Sequence, residues 1–295
     1  MKKIQGGGYG TIAFDEIFLC AAGGSLRVWE RNTFAPYAVF RDMKNIGYLH
    51  LRNGALYAKT TTGVYGAYDL EKKNLLYKTT CREKANTSHD GDFAVPADMV
   101  LADVLQFKGG SRYFVKTDLR AATYIKLLLT DSDYSRTALR WQPEENSVSI
   151  VCTQINCMAY PQTNCRLFAI DIDHMCITRA FSFTLEHGTY PLAFLDNDTL
   201  LLNTMKTFSL SNGKQTTLDK HNRFQECENG YLTRIAPLGG GKVAVVFSEK
   251  TFIYDQTTGE LLYSTNCKYA NSIAYIDGNL LFGTWDGLFL DHVRL

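Results

Sequence analysis

Seven times along this chain, two or three turn-forming residues separate a pair of short apolar runs. The joints are Asp15-Glu16, Arg52-Asn53-Gly54, Lys108-Gly109-Gly110, Glu144-Glu145-Asn146, Asp196-Asn197-Asp198, Gly239-Gly240-Gly241 and Asp277-Gly278-Asn279. Residues of this kind accept the positive φ that a tight hairpin requires, so each joint reads as a link between two antiparallel strands. The flanking runs are rich in Val, Ile, Leu, Phe and Tyr and are too short for helices. Helical periodicity is nearly absent, and the expected fold class is all-β.

A third run follows most hairpins and often ends in an acid, as in residues 26–30, 64–69, 251–255 and 288–291. A fourth usually comes next, for example 37–40, 75–78 and 261–265. The repeating unit is therefore four short antiparallel strands, A to D. Seven units in 295 residues give about 42 residues each, within the roughly 40–45 of a propeller blade. One four-stranded sheet cannot cover both its own faces, whereas sheets arranged radially bury them against their neighbours. These features predict a seven-bladed β-propeller occupying residues 1–295 as a single domain. The last unit lacks a D strand before the chain stops at Leu295, and residues 2–5 precede the first A strand as a spare. Pairing the two would close the ring and cover an open edge. The third unit fits least well: 100–106, 113–116 and 124–129 serve as A, B and C, leaving only 131–136 for D. A short helix over 96–107, opened by Pro96, is the alternative there.

Two segments carry a family likeness. Residues 280–291, with Gly283-Thr284-Trp285-Asp286-Gly287 and Leu290-Asp291, resemble the B-turn-C segment of WD-repeat propellers. Residues 18–30 are similar, with Trp29-Glu30 in place of the usual Trp-Asp pair; Tyr68-Asp69 and Tyr254-Asp255 are weaker echoes, and His187 precedes Leu192 at about the family's Gly-His spacing. No unit carries the full motif. The resemblance implies a rigid scaffold that presents loops.

Composition excludes several roles. The 31 Lys and Arg balance 30 Asp and Glu, so the footprint of a nucleic-acid binder is missing. The first 84 residues carry +6 and the remainder −5, a mild gradient that suits a solvated surface or orients an acidic partner. Gly6-Gly7-Gly8 stands where the apolar run of a secretory signal would be, which leads to the expectation of a cytoplasmic protein with no membrane association. Cys152, Cys157, Cys165 and Cys176 cluster, but their intervals do not suit zinc, and His89-Asp90-Gly91-Asp92 reads better as a turn than as a metal site. No metal, cofactor or catalytic set is expected.

Five tyrosines, Tyr9, Tyr134, Tyr190, Tyr231 and Tyr269, sit just before A strands, in D-to-A connections. In a propeller these connections and the B-to-C turns share one face. Tyrosine suits recognition because it offers contact area at low entropy cost; it equally suits packing between blades, the commoner fate of a large ring. Two long connections, 81–98 and 153–164, lie on the same side. The expectation is a non-catalytic platform that binds a protein or peptide on that face through the five tyrosines. The alternative is an enzyme or small-ligand binder with a polar site in the central channel.

Overall fold

The computed structural model describes every residue except 81–90, 108, 132, 155–161 and 221–229. His89, Asp90, Cys81, Cys157, Cys227 and most of the two long connections therefore lie outside the described residues. The described chain forms seven sheets of four antiparallel strands, six of them in sequential order and the seventh built from both ends of the chain, with one three-residue 3-10 turn at Pro143–Glu145. Two compact units divide it: Met1–Lys44 with Leu192–Leu295, and Asn45–Pro191.

The strand order explains the burial pattern. B strands lie inside each sheet with both faces covered, and they are continuous apolar runs such as Lys242–Phe247 and Phe18–Gly23. D strands form an outer edge and stay largely exposed, as Cys176–Glu186 and Thr123–Thr130 show. A strands form the other edge. Pro36, Pro96, Pro191 and Pro237 all fall on edge strands, where a missing N–H breaks no ladder. The A-to-B turns use the expected chemistry. Asn53-Gly54 and Asp277-Gly278 have φ of 49° and 71°, and 47° and 77°. Asp15 Oδ1 instead accepts from the N–H groups of Ile17 and Phe18 at 2.8 and 2.7 Å, and Asp196 does the same for Asp198 and Thr199.

The last sheet combines both ends of the chain. Its A, B and C strands are Ser272–Ile276, Asn279–Gly283 and Gly287–His292, and Lys2–Gly6 is the fourth. Lys2 pairs with Leu290 and Gly6 with Gly287, as the spare strand predicted. The Met1 amine lies 3.5 Å from Asp291, an added tie at the outer edge.

Blade 3 corrects the expectation. Its strands are Ala94–Ala97, Val100–Gln106, Arg112–Asp118 and Thr123–Thr130, so the run expected as A is B and no strand is missing. Residues 96–107 contain no helix. The turn at Gly109-Gly110 joins B to C, and Tyr134, within the 131–136 run expected as the D strand of blade 3, instead opens the A strand of blade 4. A four-residue strand containing a proline is a weak signal, and here it hid the true first strand.

Blades pack through apolar seams. In the Asn45–Pro191 unit, Tyr57 and Tyr65 of blade 2 pack with Leu101, Leu105 and Val115 of blade 3, and Phe114 of blade 3 packs with Val148 and Ile150 of blade 4. In the other unit, Leu201 meets Val243 and Val245, Val246 and Ile253 meet Phe282, and Leu281 and Leu288 meet Leu19 and Trp29. Each such side chain contributes roughly 1.5–3 kcal/mol by leaving water.

Candidate binding face

The five tyrosines separate by burial. Tyr9 and Tyr134 are 3% and 8% exposed, whereas Tyr190, Tyr231 and Tyr269 are 37%, 61% and 45% exposed. Tyr9 lies edge-on to Trp29 with centroids 6.2 Å apart, and its hydroxyl donates to the Gly6 carbonyl at 3.4 Å. Tyr134 lies beneath the Arg166 guanidinium, 4.4 Å from its ring centre. These two rings pack in the interior. Tyr231 and Tyr269 come together on the surface, with centroids 6.4 Å apart and planes inclined by 56°.

Hydrogen bonds fix the backbone beneath the exposed pair. The Ser248 N–H donates to the Tyr231 carbonyl at 3.0 Å, tying the entry to blade 6 to that blade's B-to-C turn. The connection into blade 7, residues 267–271, is held at three points: Thr251 Oγ1 donates to the Cys267 carbonyl, Asn271 N–H donates to Gly283, and Arg234 donates to the Asn271 carbonyl. Within this clamped loop Tyr269 has φ of +50°. Left-handed backbone costs a side-chain-bearing residue about 1–2 kcal/mol, and ten other described non-glycine residues share it, with φ between 46° and 65°.

Trp285 completes the face and is 73% exposed. It occupies the B-to-C turn of blade 7, where the Thr284 hydroxyl accepts from the N–H groups of Asp286 and Gly287 at 3.1 and 3.2 Å. The neighbouring D-to-A connection passes alongside, for Tyr9 N–H donates to the Thr284 carbonyl at 2.9 Å. A Cβ on Gly8 would stand 3.8 Å from the indole, so that connection supports one edge of the ring. Sequence reasoning placed Trp285 in a motif and missed it as a surface group. Its signal was a large aromatic between turn formers, where little can cover it. On the strands, turns and connections that carry these rings, Arg234, Lys268, Glu249 and Asp286 are exposed and Lys250 is half-buried.

No known protein-family profile matches the sequence, and no curated protein matches it. Solved structures do. The β-propeller domain of Cps50 (Swd1) from Myceliophteria thermophila superposes with a TM-score of 0.70 over 98% of both chains at 14% identity. The computationally designed Ika8 protein superposes at 0.58 over 97% of this chain and 83% of its own, at 15% identity. The fold is a seven-bladed β-propeller. At this identity the likeness carries the fold alone.

A cavity of about 250 Å³ lies at the seam between blades 2 and 3, beside their A-to-B turns at Asn53-Gly54 and Asp98-Met99. Two of its three carboxylates are already engaged: Asp98 accepts from Asn53 at 3.0 Å and lies 3.4 Å from Arg52, and Asp69 accepts from the Lys72 N–H at 2.9 Å. Among the described residues no three His, Cys, Asp or Glu side chains group to hold a metal ion, and no helix is long and apolar enough to cross a membrane. Cys152 and Cys165 are buried thiols outside any disulfide and Cys176 is an exposed one. Burial pushes the Cys165 thiol up to about 11, against the opposing Thr153 hydrogen bond.

Proposed function

We propose that this propeller is a non-catalytic interaction platform that docks a protein or peptide on the face made by its D-to-A connections and B-to-C turns. Tyr231, Tyr269 and Trp285 are the anchors on blades 6 and 7, and Tyr190 belongs to the same class of connection. The observation that carries the reading is the exposure of three large aromatics on connections whose backbone is already fixed. A partner then pays little ordering entropy, and Tyr and Trp are the residues that dominate binding hot spots. The fold likeness to a Swd1 propeller domain and the WD-repeat-like segments at 18–30 and 280–291 are compatible with a scaffold. Tyr9 and Tyr134, being buried, support the face from within rather than meeting the partner.

Site-specific photocrosslinking in native lysate tests the face. A photoreactive phenylalanine at position 285 is expected to capture a discrete partner band, and one at position 17, exposed in an A-to-B turn, is expected to capture none. Crosslinks from position 17 and not from 285 would move the binding surface to the opposite side.

A further inference from the structure

Two basic side chains are buried among the described residues, Lys59 and Arg112, and the chain compensates only one of them. Lys59 lies 2.6 Å from the Asp103 carboxylate. Arg112 is 6% exposed at the end of the B-to-C turn of blade 3, and among the described residues no carboxylate pairs with it. Its Nη1 donates to the Gly110 carbonyl at 3.0 Å, and its Nη2 crosses the seam to the Ser135 hydroxyl on the A strand of blade 4 at 2.8 Å. Arg31 and Arg52 are less buried, yet each meets an acid, Asp277 at 2.6 Å and Asp98 at 3.4 Å. A buried cation is costly unless something negative compensates it. Burial accordingly lowers the Arg112 pKa from its ordinary value, with only the Cys152 thiol opposing.

Every unspent polar group at this point is a donor. Two of the five guanidinium N–H groups are used, and three remain, the Nε–H among them. Nε makes no hydrogen bond and still reaches solvent. The Ser135 hydroxyl accepts from Arg112, which leaves its own proton to donate. A planar fork of N–H donors beside a hydroxyl matches a carboxylate, which only accepts. Arg166 adds positive charge on the same seam, stacked 4.4 Å from the centre of the Tyr134 ring that packs with Phe114 of blade 3. Asp131 and Asp133 are exposed in the connection between the blades, where Asp131 accepts from the Asp133 N–H at 3.3 Å instead of reaching Arg112. Their charges disfavour a doubly charged phosphate relative to a singly charged carboxylate.

We propose that Arg112 and Ser135 form a carboxylate-binding site at the seam between blades 3 and 4, and that it takes an acidic side chain of the docked partner. The site stands by itself; its use by a partner rests on the docking face proposed above. Arginine side-chain proton–nitrogen NMR of the full chain tests the site, with sodium acetate as the probe and sodium chloride and sodium phosphate at equal ionic strength as comparisons. The Arg112 Nε–H signal, assigned through its side-chain carbons, is expected to move saturably with acetate. Half-saturation should need roughly threefold more acetate or above in Ser135→Ala, which keeps the guanidinium in place, and should change less than about twofold in Arg31→Gln. A shift no larger than that with chloride, tighter half-saturation by phosphate, or no change on Ser135→Ala would overturn the site. Peptides selected from a random dodecapeptide library test the partner's chemistry. Binders are expected to contain Asp or Glu and to lose about tenfold in affinity or more on Arg112→Lys. Binders that lack acids and are lost on Trp285→Ala would overturn the acidic partner and keep the docking face; binders indifferent to both Arg112→Lys and Trp285→Ala would overturn the face as well.

Discussion

Two D-to-A connections in this propeller treat an aromatic residue in opposite ways. The connection into blade 3 ends at Gly91, Asp92 and Phe93, and the Phe93 ring is buried against His50 and Tyr65, with centroids 4.7 and 6.2 Å away. Polar groups hold it there. Lys59, wholly buried, donates to the Gly91 carbonyl at 2.9 Å and lies 2.6 Å from Asp103, which also accepts from the Tyr65 hydroxyl at 2.7 Å. His50 pairs with Asp92 at 2.8 Å. The connection into blade 7 is fastened as firmly, yet its Tyr269 points outward at a strained φ. Fastening a connection is thus separate from burying its aromatic. Where the ring goes inward it supports the seam, and where it goes outward it stays half-exposed on a backbone of left-handed φ.

Phe93→Ala should break the inward case most severely, losing about 3–5 kcal/mol in a denaturant titration, the usual loss for deleting a buried Phe. Comparable destabilisation is expected of Lys59→Met, which leaves Asp103 buried without its cation; the double variant Lys59→Met, Asp103→Leu should recover much of the loss. If the double variant loses as much as the two singles combined, the pair is not acting as a unit.

Cys267 reports on the outward connection from below. Burial pushes its thiol up to about 12, with the Asp291 carboxylate adding to the rise. Alkylation of the native protein near neutral pH should therefore proceed roughly a hundredfold more slowly at Cys267 than at exposed Cys176. Similar rates at both would show that the connection opens and is not the fixed platform described here.

A smaller, pH-dependent effect belongs to His50. Burial alone would lower its pKa, but the charge of Asp92 and its hydrogen bond more than offset this and raise it above the ordinary value. A raised folded pKa means that the pairing stabilises fully below about pH 6.5, the unfolded value, and that this contribution is lost as pH rises through the folded value. The difference in Tm between the wild type and His50→Gln should accordingly be larger at pH 5.5 than at pH 8.5. A constant difference would leave only the packing of His50 on Phe93.

The A-to-B turns of blades 2 and 7 were readable because Asn-Gly and Asp-Gly at positive φ have few other uses, whereas Gly109-Gly110, expected as the same turn in blade 3, joins B to C; the closing strand was readable from a count of strands. Ala94–Ala97 was not, since a four-residue edge strand needs neither long apolar runs nor alternation, and its proline argues against a strand unless the edge is known. At the face, spacing placed all five tyrosines in one class of connection. It could not separate Tyr9, packed on Trp29, from Tyr269, because neighbours distant in sequence decide burial. Lys59 and Asp103 gave no local sign of pairing either, being 44 positions apart on the B strands of adjacent blades.

The sharpest test of the contrast is a thermal melt of Tyr269→Gly beside Phe93→Ala. Glycine relieves the left-handed strain of about 1–2 kcal/mol and gives up only a half-exposed ring, so Tyr269→Gly should melt no more than about 2 °C below the wild type, or above it. Phe93→Ala should melt far lower. A fall for Tyr269→Gly as large as that for Phe93→Ala would show that the Tyr269 ring holds the fold together, and would contradict its assignment to a binding face.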